Sequence, residues 1–337
     1  MIKTDTSNIK IRIYNILITG GAGFIGSNLV EALLEDERVA KVRVLDNLSN
    51  GHRHNIEEFL PDARFEFMEG DIRDYKVCLD ACKGMDKITH QAALGSVPRS
   101  IEAPLTTNEV NISGTLNVFT AAKETGIERI VYACPSSTYG DSQALPKREE
   151  IIGQPISPYA VSKLVNELYA KVYAKLYDMK FIGLRYFNVF GPKQDPYGAY
   201  AAVIPLFVKA LLTQEAPTIN GDGSQTRDFT FVDNAVQANI KALFTEKEDA
   251  FNEVYNIACG ERTSITELYY ILKDIAGSDL EPIFGPARAG DVKHSHADIS
   301  KAKHYLDYAP EVSVKEGLEI VYRWYKNQGR MLERVFR

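Results

Sequence analysis

Asn15-Ile-Leu-Ile-Thr19 runs directly into Gly20-Gly-Ala-Gly-Phe-Ile-Gly26, and the join between them is the most informative part of the chain. The first five residues form a short apolar run of the kind that makes a buried strand, and Phe24 to Leu34 repeats its apolar residues at helical spacing. Gly20, Gly23 and Gly26 fit both GxGxxG and GxxGxxG at a strand-to-helix turn. Small residues there let the backbone approach a pyrophosphate, and the helix N-terminus offers unpaired N–H groups at the positive end of its dipole. An ordinary glycine-rich turn is the plain alternative. Asp46 weighs against it, because it ends the next strand-like run, Val42-Arg-Val-Leu-Asp46, where a carboxylate would bond the ribose hydroxyls of an adenosine. A carboxylate at that point repels a 2′-phosphate, so NAD is expected rather than NADP. Asn47 follows it, and Phe24 and Ile25 open the helix. Asp71-Ile72, after another strand-like run, is expected to bracket the adenine, with helix capping as the other use of such an Asp.

Outward from this unit the pattern of strand then helix continues. Strands are expected at Phe65-Glu-Phe-Met68, Lys87-Ile-Thr-His90, Arg129-Ile-Val-Tyr-Ala133 and Phe181-Ile-Gly-Leu-Arg185, which implies an α/β chain with a parallel, doubly wound sheet of Rossmann type. After Gly191-Pro192 the texture becomes punctuated by Gly and Pro, which suggests a smaller C-terminal substrate-binding domain. A helix from Asp233 to Phe244 and a strand at Val254-Tyr-Asn-Ile-Ala258 are expected to rejoin the first sheet. The expected division is residues 1–190, rejoined by 230–260, for the dinucleotide, and 191–229 with 261–337 for the substrate.

Composition narrows the function. At 337 residues, with 45% hydrophobic and 25% charged residues, the chain is of ordinary globular make-up and, at roughly 150 residues per domain, long enough for one large α/β domain and a smaller partner. A formal net charge of −6 argues against nucleic acid, whose backbone is bound by excess Lys and Arg. The polar stretch from Met1 to Asn15 lacks the apolar core of a signal peptide, and Ala199 to Leu212, interrupted by Pro205 and Lys209, is too short to span a bilayer. A cytoplasmic protein is expected, with no membrane partner. The four cysteines, Cys78, Cys82, Cys134 and Cys259, are irregularly spaced and read as reduced thiols. His294 and His296 alternate as on a strand without a third ligand, so no metal is expected.

The reacting groups are signalled by Ser157-Pro158-Tyr159-Ala-Val-Ser-Lys163, which places Pro at a helix start and Tyr159 and Lys163 four residues apart on one helical face. A phenol is a poor base at neutral pH, but a neighbouring ammonium and a positive nicotinamide ring bring its pKa toward the working range. With these motifs together, the chain resembles the extended short-chain dehydrogenase/reductase family over almost its whole length. Within that family it is most similar to UDP-N-acetylhexosamine 4-epimerases, through His90-Gln-Ala-Ala-Leu-Gly-Ser-Val-Pro-Arg-Ser100, Ser137-Thr-Tyr-Gly140, Leu184-Arg-Tyr-Phe-Asn-Val-Phe-Gly191, Gly198-Ala-Tyr-Ala-Ala-Val-Ile-Pro205 and Ile219-Asn-Gly-Asp-Gly223.

The resemblance implies that Ala92, Ala93 and Tyr186 contact the cofactor with Tyr159 and Lys163, and that Gly95, Ser96, Asn188, Val203, Ile204 and Asn220 face a UDP-sugar. It places Arg227 and Arg288 on the diphosphate, Asp291 on the uridine ribose, and Ser295 at a wall position whose small side chain leaves room for an N-acetyl group. It further implies a homodimer through two long sheet-flanking helices and a role in polysaccharide biosynthesis. One position departs from the family pattern. A hydroxyl residue is expected five positions before Gly140 to relay the sugar O4 proton, and this chain has Pro135 there, followed by Ser136 and Ser137, either of which would have to take over. The activity implied is C4 epimerisation of UDP-GlcNAc and UDP-GalNAc through a transient 4-keto sugar, an isomerase reaction with retained NAD. A UDP-uronate 4-epimerase, with Arg99 or Arg185 facing the acid, fits nearly the same motifs. A catalytically silent NAD-binding regulator is the alternative from another class, and Ser136-Ser137 in place of an acid/base pair counts against a dehydratase.

Overall fold

The computed structural model of the protein describes residues 12–196, 201–287 and 293–335. Its centre is a seven-stranded sheet built from β1 (Tyr14–Thr19), β2 (Val39–Asp46), β3 (Phe65–Glu69), β4 (Lys87–His90), β5 (Arg129–Pro135), β6 (Lys180–Tyr186) and β7 (Glu253–Ile257), in the spatial order β7-β6-β5-β4-β1-β2-β3. Every neighbouring pair is parallel. The α/β class and the doubly wound sheet expected from the alternating pattern are therefore present.

The middle strands read as unbroken apolar runs because both faces are covered. Ile16 and Ile18 join one buried cluster, and Leu17, between them, joins the cluster on the opposite face. Helix α1 (Phe24–Glu35) buries Leu29, Val30, Leu33 and Leu34 toward the first cluster. Helices α2 (Tyr75–Cys82) and α3 (Thr115–Thr125) pack together on the second face. Asp74, not Asp71, caps α2, accepting from Lys76 N at 2.9 Å. Helix α4 (Pro158–Tyr177) begins as expected at a proline, and Ser157 Oγ accepts from Ala160 N at 3.1 Å.

Two local features were not foreseen. Between β4 and α3 the chain forms short helices at Val97–Glu102 and Pro104–Asn108 and a π-helical turn at Glu109–Gly114, because Pro98 and Pro104 restart the helix. Inside the π turn Asn111 accepts from Leu94 N at 2.8 Å and donates to Ser162 Oγ at 3.1 Å, fastening the segment after β4 to α4. Strand β5 also runs two residues past Ala133 and ends at Pro135, whose missing N–H leaves the ladder no further donor.

After β6 the chain leaves the sheet. It forms short ribbons pairing Val189–Phe190 with Thr230–Phe231, Thr226–Arg227 with Thr263–Ser264, and Thr218–Asn220 with Ile283–Gly285. Around them lie α5 (Val203–Thr213), α7 (Ile265–Ala276) and α8 (Val314–Val335). Between the ribbons the chain returns to the sheet as α6 (Val232–Phe244), which packs on α1, and as β7, which extends the sheet beside β6.

Candidate active site

The strand order reverses between β1 and β4, and the carboxyl ends of these strands open onto a cleft, the position where open parallel sheets bind their ligands. Gly20 sits at φ +74°, in the left-handed region. A Cβ added to it would stand 2.6 Å from Ala92 N, and one added to Gly26 would stand 2.1 Å from Gly20 O. The backbone is thus packed so closely that only glycine fits. Helix α1 starts at Gly23 with no side-chain cap, so its first N–H groups are left for a ligand. This cradle suits the pyrophosphate of a dinucleotide.

Beside it, a depression is lined by Gly20, Gly23, Asp46, Asn47, Asp71, Ile72, Ala92 and Ala93, together with Asn50 of the loop after β2. Asp46 is buried, and each carboxylate oxygen accepts one backbone N–H, from Ala22 at 2.9 Å and Leu48 at 2.8 Å. Burial pushes its pKa up while those two bonds hold it down. Each oxygen keeps a lone pair for a ribose hydroxyl. Asp71 accepts from Asn47 at 2.8 Å and forms a fork with Arg73, whose hydrogen bonds lower its pKa to about 2.

The cleft continues past the glycine turn into a space of about 610 Å³. Phe24, Ile25, Gly26, Gly95, Ser96, Arg99, Cys134, Pro135, Ser136, Ser137, Tyr159, Lys163, Tyr186 and Asn188 line it. A Cβ on Gly95 would lie 3.9 Å from the Tyr159 hydroxyl, which sets the phenol beside the Gly95 segment of the cleft wall. Burial pushes the Tyr159 phenol far above the ordinary tyrosine range and pulls the Lys163 ammonium below the ordinary lysine range. Ser137 Oγ is buried and makes no hydrogen bond within the protein. A buried hydroxyl without a partner costs roughly 1–3 kcal/mol, which a ligand group bonding there would offset. Ser96 Oγ caps the helix that follows, accepting from Arg99 N at 3.2 Å. The Tyr186 hydroxyl is already committed, donating to Gln91 Oε1 at 3.2 Å and accepting from Asn239 Nδ2 at 2.7 Å.

Asn188, Val189 and Ala202 are shared with a further depression of about 280 Å³, lined also by Val203, Ile204, Asn220, Gln225, Arg227 and Phe229. Asn188 has φ +38° and donates to Asp228 O at 3.1 Å, and this kink turns the wall between the two spaces. Arg227 Nη1 donates to Thr226 O at 2.9 Å.

Two expectations are placed differently. Arg185 does not face the cleft, because it is buried in an ion pair with Glu167 at 2.7 Å and so is not available to a sugar carboxylate. Ser295 is half-buried, with its N–H donated to Thr226 O at 3.0 Å, and lines none of these three spaces. Its neighbours are spent locally, His294 on Thr226 Oγ1 at 3.0 Å and His296 on Gly260 O at 3.1 Å. Arg288 and Asp291 lie outside the described residues. Among the described residues no three His, Cys, Asp or Glu side chains gather as a metal site, and no helix is long and apolar enough to cross a membrane. Asn50, Gln194 and Asp195 also line the cleft and carry no motif that spacing reveals.

A glycine-cradled helix N-terminus beside the buried Asp46, opening onto a cleft that holds Tyr159 and the buried Lys163, is the arrangement of a dinucleotide-dependent enzyme of the Rossmann class. The chain belongs to the NAD dependent epimerase/dehydratase family, whose model matches residues 16–258, and NAD is accordingly its cofactor. It is 40% identical over 94% of its length to a putative UDP-glucose 4-epimerase of Methanocaldococcus jannaschii, 99% of which is covered. Two solved structures are similar across the whole fold. A UDP-N-acetylglucosamine 4-epimerase from Methanobrevibacter ruminantium, in complex with UDP-N-acetylmuramic acid, shares 38% identity at a TM-score of 0.88, over 94% of this chain and 99% of that one. The UDP-glucose 4-epimerase of Thermotoga maritima, with UDP-glucose, shares 36% identity at a TM-score of 0.87, over 93% and 99%.

The cradle makes a direct prediction. Asp46→Ala is expected to weaken NAD retention by about 1.5–3 kcal/mol, the value of a hydrogen bond to a charged group, and Gly26→Val to abolish it. NAD content of the purified variants and calorimetric titration measure both, and unaltered retention in either variant contradicts the assignment.

Proposed function

We propose that this enzyme interconverts the C4 epimers of a UDP-hexose, with UDP-GlcNAc and UDP-GalNAc as the preferred pair, and that it retains NAD through turnover. The observation that carries this reading is the unpartnered Ser137 Oγ, buried in the same cleft as Tyr159 and Lys163 and beside Pro135. The nucleotide end is assigned to the space bounded by Asn188, Val203, Ile204, Asn220 and Arg227, with residues 191–229 and 261–337 forming the UDP-sugar-binding domain. The small side chains of Gly95, Ser96, Ala201 and Ala202 in the cleft wall favour a substrate with a bulky C2 substituent.

When bound, NAD supplies a hydride acceptor and donor at sugar C4. Tyr159, as the phenolate, takes the O4 proton and later gives it to the oxygen of the epimer. Lys163 stabilises that phenolate with its ammonium. Ser137 Oγ, lacking a protein partner, bonds the sugar O4 and relays that transfer, taking the O4 proton as it gives its own to Tyr159, the role that the ring of Pro135 has no hydroxyl to perform. Rotation of the 4-keto sugar between the two hydride steps needs space rather than grip, which the width of the cleft provides.

A uronate substrate is favoured by Arg99, which lines the cleft. Against it, Arg99 Nη1 donates to Asn50 Oδ1 at 2.8 Å, and Asp195 adds a carboxylate to the same cleft that would repel the acid. A neutral sugar fits this charge pattern better.

A homodimer is supported by α4. Opposite the face that carries Tyr159, it exposes Val161, Leu168, Val172 and Leu176 in one row, beside Ile101 and Leu105 of the short helices packed on it. Leu168→Glu with Val172→Glu is expected to convert a dimer to a monomer in sedimentation, and a parent that sediments as a monomer contradicts the interface.

The activity is tested by incubating the protein with UDP-GlcNAc, UDP-glucose and UDP-GlcNAcA without added NAD and separating the C4 epimers. UDP-GlcNAc is expected to react fastest. Tyr159→Phe is expected to lose about 10²-fold or more in kcat, and Ser137→Ala to lower kcat with UDP affinity intact. No conversion of any of the three, or full activity in Tyr159→Phe, would sink the reading.

A further inference from the structure

On the face of α4 that presents Tyr159 and Lys163, the next residue at the same spacing is Glu167. Glu167 and Arg185 are 4% and 3% exposed at their side chains and meet as a fork, Nε to Oε1 at 3.0 Å and Nη2 to Oε2 at 2.7 Å. The guanidinium is further held by Nη1 donating to Glu149 O at 3.1 Å and by lying 4.9 Å over the Tyr139 ring. A buried ion pair is a weak source of net stability, since desolvation offsets most of the attraction. Its position suggests another use.

The groups that face Lys163 come from four elements. Its own helix places Tyr159 and Glu167 one turn to either side of it, β4 supplies His90, β5 supplies Cys134, and β6 supplies Arg185 behind Glu167. His90 is held neutral, because burial and then Lys163 lower its pKa to about 3. The Cys134 thiol is held neutral too, since burial and the nearby Glu167 push it up. Burial lowers the Lys163 pKa, and Cys134 and then Glu167 act against it; with the thiol neutral, Glu167 is the carboxylate among these groups that favours the ammonium.

We propose that the Glu167–Arg185 pair is a positioning device for the reaction: Glu167 keeps Lys163 as its ammonium, and Arg185 cancels the charge of Glu167 toward Tyr159. The row is positive, negative, positive, with a net positive charge, and it places the positive end nearest the phenol. Lys163 alone in this buried place would hold its proton, and with it the means to stabilise a phenolate, less firmly. Glu167 alone would hold Lys163 charged but oppose the phenolate directly. The pair does the first without the second. This rests on Tyr159 being the base.

The test compares the parent with Glu167→Gln, with Glu167→Asp, which keeps the carboxylate, and with the double variant Glu167→Gln/Arg185→Gln, which leaves no charge unpaired. Two quantities are read: kcat against pH on whichever UDP-hexose the parent epimerises, and the ultraviolet absorbance of the Tyr159 phenolate, by difference from Tyr159→Phe in each background. Glu167→Gln and the double variant are expected to move the acid limb of kcat and the phenolate titration up together by about one pH unit or more, with Glu167→Asp moving them less. UDP affinity should not change. An unmoved limb and titration in a folded variant, or loss of the fold in both neutralised variants, overturns the proposal in favour of a purely structural pair. A parent that epimerises nothing contradicts the proposed function, while the absorbance titration still judges the pair.

Discussion

A half-buried phenol, Tyr159, sits in the cleft one helical turn from a buried ammonium, Lys163, and this one constraint governs the rest of the site. Burial opposes the charged form of each: it raises the phenol and lowers the ammonium. A tyrosine in such a place is no base unless surrounding groups supply positive charge. Lys163, one helical turn along α4, is one source, and the nicotinamide ring of a bound NAD would be the other. With Tyr159 as the proposed base, base and cofactor would be matched, because the phenolate would draw on both positive charges.

The sheet supplies the rigid frame for this arrangement. The reversal of strand order between β1 and β4 opens the cleft, and β5 ends at Pro135 so that Ser136 and Ser137 turn over its floor. Register then does the fine positioning: Cys134 of β5 lies opposite Arg185 of β6, which brings the guanidinium under α4 to meet Glu167. Asp228, buried behind the Thr226–Arg227 ribbon, accepts from Cys259 N and Ala297 N, each at 3.1 Å, and ties three separate segments together beside the depression lined by Asn220 and Arg227. Its pKa is raised to about 6, burial outweighing those two bonds.

What was legible in the sequence is what is local. The glycine turn, Asp46 and the Tyr159–Lys163 spacing each express a geometry confined to one strand, turn or helix, and the parallel sheet follows from the alternation of such units. What was hidden depends on register or on long-range approach. Nothing in Leu184-Arg185-Tyr186 tells whether its Arg faces a ligand or a buried carboxylate; the pairing of β5 with β6 decides that. Glu167 had a signal, the same four-residue step that joined Tyr159 to Lys163, carried one turn further. Asn50, Gln194 and Asp195 reach the cleft from loops whose paths no spacing encodes. The two prolines that restart the helix after β4 were visible, whereas the π turn that seats Asn111 was not, because it answers to Leu94 and Ser162 across the fold.

The central claim is that hydride leaves and returns to one carbon without exchange, shielded in the cleft between the glycine cradle and Tyr159. The most direct measurement is the fate of deuterium at C4 of UDP-GlcNAc, followed by mass spectrometry and NMR as the substrate epimerises in ordinary water. The account predicts that the label stays at C4 in both epimers. Loss of deuterium to solvent as the epimers form, or its appearance at another sugar carbon, would contradict it.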